Sequence, residues 1–439
     1  MNQEYFQKLA ERLFTRLEGE EILFCSLGGE TSDFVRLTRN RIRQAGNVHS
    51  AALGLTLISG ARQAEGSCDL AGESGPDLLR AIRLLQALRK RIGHVPEDPY
   101  LNYSTEPSES QRRVEAELPP VEEALAELIG AAEGLDLVGI WASGEIQEGL
   151  SSSIGHRHWH QSNSFNLDWS CYLESDKALK SGYGGFRWDS SVLRSKLGAM
   201  RDALHVMAQP AVTIAPGRYR AYLAPAAVQE LMEMLAWGGF DLKNHRTQQT
   251  PLLKLIRGER HLDPRICIRE ESSRGLAPAF TAEGFLQPDS VALIEQGRHA
   301  ECLVDARSAK EYGESVNAAG ASPESLALDA GDLSLADVPA RLDTGLYIGN
   351  LWYCNWSDAN DCRVTGMTRF GTFWIEKGEV QGPVKVMRFD DSLYHVLGDR
   401  LEALTRDREL ILSADTYDGR STSSALLPGL LVSGIDLAL

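Results

Sequence analysis

Three histidines alternate along Gly155-His156-Arg157-His158-Trp159-His160. On a β-strand, alternate side chains share one face, so the three imidazoles would point the same way. Two of them, with a ligand from elsewhere, could chelate zinc through neutral ring nitrogens. All three do not easily meet one ion, because four residues of strand span about 13 Å against a zinc–nitrogen bond of about 2 Å. A polar strand face beside a groove or a subunit contact is the simpler reading. Cys354, Asp358, Asp361 and Cys362 also gather donors. Their order is not that of an EF-hand, and a surface or interface loop accounts for them. Ser151-Ser152-Ser153 lacks the glycines of a nucleophile elbow, so a serine hydrolase has no support. Gly28-Gly29 and Gly184-Gly185 lack the flanking pattern of a phosphate loop. Arg36, Arg39 and Arg41 are candidates for holding acidic side chains or a terminal carboxylate, although a solvated strand face explains them more simply.

These residues sit in a chain of 439 residues, enough for two or three domains at about 150 residues each. Hydrophobic residues make up 43% and charged residues 24%, the mixture of a globular protein. Lys+Arg 45 against Asp+Glu 61 leaves a net charge of -16. That balance opposes direct contact with nucleic acid, which needs clustered cations, and with an anionic membrane surface. No window approaches the roughly 18 apolar residues of a membrane span. The 7 cysteines are odd in number and form no CxxC, which points to a reducing cytoplasm with buried thiols.

Periodicity supplies the elements. Residues 3–18 place Phe6, Leu9, Leu13, Phe14 and Leu17 at helical spacing. Glu21–Leu27 and then Phe34–Gln44 paired with Val48–Ile58 read as strands. Pro76 opens a helix that Gly93 ends, and 94–113, with three prolines, reads as a linker-like loop. Helices over 121–133 and 190–207 flank a strand meander over 135–172, in which Phe165, Leu167, Trp169 and Cys171 share a face. After a strand over Thr213–Leu223 and a helix over 226–236, the chain is mostly short strands, among them AECLVDA at 300–306. The expected class is α+β with two domains: an N-terminal helix-and-strand domain, 1–210, and a strand-rich C-terminal domain, 211–439.

In several places the sequence resembles the TldD/PmbA family, and within it the PmbA (TldE) branch. The resemblance runs through Val35-Arg36-Leu37 and Asn40–Gln44, Pro216-Gly217-Arg218-Tyr219, Ala282-Glu283-Gly284, Asp305–Ala309, Thr365-Gly366 and Trp374–Glu379 with Pro383-Val384. It covers nearly the whole chain. It implies cytoplasmic peptide processing and proteolysis by a metallopeptidase-like family that also carries the older name of modulator of DNA gyrase. One branch, TldD, uses a zinc ion held by an HExxxH helix and a later cysteine. In this sequence the matching helix has Gln229 and Met234 where the histidines would stand, and only Glu230 remains. The stretch matching the cysteine, 413–420, has none. A carboxamide and a thioether are poor zinc ligands beside imidazole and thiolate. An amphipathic core helix is the plainer account of 226–236.

The expected function is therefore that of a PmbA-like, non-catalytic partner of a TldD-like zinc subunit, dimerising with it or with itself. It would act on peptide or unfolded protein, with no cofactor of its own and zinc in the partner. The alternatives are a peptidase with a displaced metal site at His156, His158 and His160, or a non-enzymatic binding or regulatory protein.

Overall fold

The computed structural model describes residues 1–174, 177–417 and 419–438. Among them the strands form two sheets, one of seven strands and one of thirteen. The fold is α+β, with the strand-rich C-terminal half that the pattern of short apolar runs predicts.

Helix α1 (Gln3–Phe14) starts at Asn2, whose side chain accepts from the Tyr5 amide at 2.9 Å. Its inward residues Phe6, Leu9 and Leu13 pack on the first sheet. That sheet is built from β1 (Ile22–Thr38), β2 (Arg41–Ser59), β3 (Arg62–Asp69), β4 (Glu109–Val114), β5 (Asp136–Ser152), β6 (Arg157–Glu174) and β7 (Lys177–Gly185). The order is β3-β2-β1-β5-β6-β4, and β7 pairs with the second half of β6. Helices α2 (Ser74–Ile92), α3 (Val121–Ala131) and α4 (Ser190–Met207) cover its apolar face with α1.

In the first sheet and its loop, three expectations change. Phe34–Gln44 is not one strand, because Arg39 and Asn40 turn the chain with φ of 52° and 53°. Two positive φ values suit a two-residue hairpin turn whose twist matches its strands. Asn accepts that conformation readily, but Arg gives no hint of it in sequence. The separate strand expected over Glu21–Leu27 is the first part of the same long β1. The segment 94–113 is loop only as far as Ser108, and its end forms β4, parallel to β6. The loop part ties the halves together: Asn102 Nδ2 donates to the Ala306 carbonyl at 2.7 Å and the Ser104 amide to Glu283 at 2.9 Å.

β6 decides what lies between the halves. Trp159, Phe165, Leu167, Trp169 and Cys171 point into the helix-covered core, as period two requires. His158, His160, Ser162 and Ser164 point the other way and are buried as well.

The second sheet begins at β8 (Gly217–Leu223), so Thr213–Pro216 precedes the strand. Leu223 leads almost directly into α5 (Pro225–Ala236), whose proline sits where no intrahelical N–H is needed. The long strand Ser424–Ala438 pairs with β8 and with Leu401–Leu412, and α5 packs over it. The expected strand 300–306 is a connection with a single bridge, Asp241 to Leu303, and Asp305 instead caps the helix Ala306–Tyr312. No helix among the described residues is long and apolar enough to cross a membrane.

A candidate functional cleft beside helix α5

Helix α5 buries Ala227, Val228, Leu231, Met232, Met234 and Leu235 in the core of the second sheet. Its other side carries Gln229, Glu230 and Glu233, which border a cleft of about 390 Å³. The facing wall comes from β6 and β7, with Asn166, Asp168, Lys180 and Tyr183. The third wall is Glu409–Asp415, and Asn350 lies at the border. Residues nearly 250 apart are thus neighbours. Asn166 Nδ2 holds the third wall by donating to the Ser413 carbonyl at 3.0 Å.

The end of that wall is fixed by Arg420, which reaches into the polar face of the first sheet. Its guanidinium donates to the Gly144 and Ser164 carbonyls at 3.0 Å each and to Ser164 Oγ at 2.6 Å. Its backbone N–H donates to Glu30 Oε2 at 3.2 Å. Burial pushes its pKa down to about 10. Asp418, within the 413–420 stretch, lies outside the described residues.

Burial beside α5 disfavours negative charge. It pushes the Glu230 carboxyl up to about 7, with the neighbouring Glu233 adding to the effect and Lys180 opposing it. Glu233 is raised by the same burial, and Gln229 Nε2 donates to its Oε1 at 2.8 Å. Asp168 is also raised by burial, against the pull of Lys180 at 3.6 Å. Cys354 behind the helix is pushed up to about 12 by burial and by both glutamates.

The C-terminal half, residues 216–439, matches the family model described as PmbA/TldA metallopeptidase C-terminal domain. The chain belongs to the PmbA/TldD family. Its fold also matches solved structures at low identity. TldE from Thermococcus kodakarensis superposes with a TM-score of 0.80 at 15% identity, over 99% of this chain and 100% of the other. A protein of Thermotoga maritima named as a candidate modulator of DNA gyrase gives 0.76 at 15% identity, over 99% and 100%. A similarly named protein of Bacteroides thetaiotaomicron gives 0.74 at 17%, over 100% and 98%. No curated protein matches the chain in sequence.

The metal that a PmbA/TldD metallopeptidase implies does not fit the residues of this cleft. The Gln229 carboxamide is engaged by Glu233, and Met234, only 5% exposed, is packed in the core. Five residues on a helix turn the side chain about 140° away, so residues 229 and 234 do not face one point. Among the described residues, no three His, Cys, Asp or Glu side chains are grouped so as to hold a metal ion. The sequence-derived pieces do come together in part: Gln229 and Glu230 share the cleft with Ser413, Ala414 and Asp415.

The histidine row lies elsewhere, sealed between the halves. His156 stacks on Phe24 and His158 on Phe280, with centroids 5.5 and 5.1 Å apart. Both nitrogens of His158 meet serines, Ser108 at 3.1 Å and Ser110 at 2.8 Å. His160 Nε2 donates to the Leu276 carbonyl at 2.7 Å. Burial pushes His158 and His160 down to about 4, so both are neutral at pH 7. Arg112, one strand away, clamps the same loop through the Ser273 and Gly275 carbonyls at 3.0 and 2.7 Å. Arg36, Arg39 and Arg41 are exposed along the β1–β2 hairpin and do not border the cleft. Asp358 and Asp361 are exposed, and Asp361 pairs with Lys254. Asp168, Lys180 and Asn350 give no signal in the sequence, since each is alone in its segment and only the fold gathers them.

Proposed function

We propose that this chain is the non-catalytic partner of a TldD-like zinc peptidase subunit in cytoplasmic peptide processing, contributing a cleft that holds peptide. One observation carries the reading. The helix and the wall that would furnish a metal site still border one cleft, yet the side chains facing it are a carboxamide and carboxylates, with Met234 turned into the core. This chain then has no cofactor of its own, and zinc belongs to the partner. An extended peptide would bind through its main chain, with little sequence preference. Two of the similar structures carry names that point to gyrase, but a net charge of -16 opposes direct contact with DNA.

Co-expression with a TldD-like chain bearing an intact HExxxH tests the proposal. The two should co-purify, and the mixture should cleave an unstructured peptide that this chain alone leaves intact. Cleavage by this chain alone would overturn the reading, as would failure of the two to associate. A second copy of this chain in place of the partner would show up as a homodimer by light scattering.

A further inference from the structure

We propose that the cleft beside α5 takes an organic ammonium group carried on a peptide, with Glu230 and Glu233 as its anionic wall and Asn350 as a buried acceptor. The inference deepens the peptide-holding reading above and rests on it for the nature of the carrier. Asn350 supplies the independent observation. It is 6% exposed, it borders the cleft, and its carboxamide oxygen has no hydrogen-bond partner among the described residues. A buried acceptor left without a donor is costly, and a ligand N–H would relieve it.

The charges at the cleft set the sign of the ligand. Lys180 is already engaged by Asp168, and Glu409 by Lys196, which leaves Glu230 and Glu233 without a cationic partner. An anion would find no free cation among these groups. A bare metal ion is disfavoured because no three His, Cys, Asp or Glu donors converge among the described residues. An alkylammonium differs from a metal in needing only scattered acceptors around three N–H donors. Met232, Leu326 and Ile411 provide apolar wall for an aliphatic stem, as a lysine side chain has. Burial raises Glu230 to about 7, so it would release its proton to solvent when a cation binds, and binding should tighten from pH 6 to pH 8. The groups that border the cleft with Glu230 from other elements are Lys180, Asp168, Asn350, Glu409 and Asp415, and Cys354 lies behind the helix. Burial and both glutamates keep the Cys354 thiol neutral over this range.

Calorimetric titration of the full chain at pH 8 tests this with three probes. They are acetyl-Gly-Gly-Lys-Gly-Gly-amide, Gly-Gly-Ser-Gly-Gly-amide with a free amino terminus, and acetyl-Gly-Gly-Ser-Gly-Gly-amide. An ammonium-bearing probe should bind about tenfold or more tightly than the capped serine peptide. Whichever of the first two wins identifies a side chain or a chain terminus as the source. The Glu230→Gln/Glu233→Gln variant should abolish the preference, and Asn350→Ser should weaken it with the carboxylates intact. Circular dichroism checks that both variants fold. Equal binding of all three probes, a preference that survives the double Gln variant, or no binding of either ammonium probe would overturn the inference. Equal binding would still leave a peptide-holding chain, whereas failure to associate with a TldD-like subunit would remove the partner reading whatever the probes do.

Discussion

The cleft beside α5 and the histidine row on β6 are both polar, both partly buried and both built from residue types that catalyse reactions elsewhere. They differ in what surrounds them. Each imidazole of the row bonds a serine or a carbonyl through at least one nitrogen, although His156 Nε2 and His160 Nδ1 are buried without a partner among the described residues; the three residues are at most 1% exposed. The cleft carboxylates meet only a carboxamide and a distant lysine, with open space in front of them. Buried polar groups that are hydrogen-bonded specify how two layers fit; polar groups left short of partners beside a cleft await something else. The two regions also respond oppositely to acid. Histidines lowered to about 4 lose stability as the pH falls, while a carboxyl raised to about 7 gains it.

The largest expected effect comes from the row. His160→Ala removes the bond to the Leu276 carbonyl and leaves a cavity, and should cost about 3 kcal/mol in urea unfolding at pH 7.5. A change below 0.5 kcal/mol, at roughly the level of a surface site, would mean that the row is not a structural seam.

Acidification sharpens the contrast. The unfolded histidine titrates near 6.5 and the folded one near 4, so the unfolded state binds more protons between these values. Stability from His158 and His160 is complete above pH 6.5 and falls towards pH 4. Because Glu230 and its like shift the other way, the comparison must be with a His158→Asn/His160→Gln variant. Going from pH 7.5 to 5, the parent should lose on the order of 4 kcal/mol relative to that variant, about 2 kcal/mol for each histidine. Parallel pH profiles of the two proteins would contradict the neutral, buried assignment.

In the cleft the sign reverses. Glu230 titrates near 7 when folded and near 4.5 when unfolded, so its charge opposes folding at pH 8 and not at pH 5. Glu230→Gln should raise stability at pH 8 by about 1 kcal/mol, after screening on the open side of the cleft, and leave it unchanged at pH 5. Thermal melts at the two pH values read this directly.

How far the sequence reaches follows the same division. The alternation of Phe165, Leu167, Trp169 and Cys171 marks a strand face whatever lies beyond it, and the helices expected over 121–133 and 190–207 declare themselves by their period. The polar side of the same strand is ambiguous, because His158, His160 and Ser162 look solvent-facing until a second layer covers them. The cleft is less legible still. Resemblance to a family connects Gln229 and Glu230 to 413–420, but Asp168, Lys180 and Asn350 come from segments with no motif, and only long-range packing joins them. The Arg39-Asn40 turn escaped for a local reason, since its first residue is an unusual occupant of positive φ.

A smaller effect separates the two ends of the degenerate motif. Gln229 and Glu233 are one turn apart and both face the cleft, whereas Met234 faces the core. Gln229→His/Glu233→His/Asp415→Cys should gain zinc affinity over the parent, measured by calorimetric titration. Gln229→His/Met234→His/Asp415→Cys should gain little and unfold more easily, because an unliganded imidazole buried at 234 costs roughly 1–3 kcal/mol. The reverse order of zinc affinities would mean that the helix is rotated from the placement described.

The central claim is that this chain holds no catalytic zinc, and metal analysis tests it most directly. Protein purified without a histidine tag, equilibrated with zinc at pH 7.5 and freed of excess, should retain far less than one zinc per chain, and neither Glu230→Gln nor His158→Ala/His160→Ala should change that value. One tightly held zinc per chain, lost in either variant, would contradict the account and place a working metal site in the region whose substitution removed it.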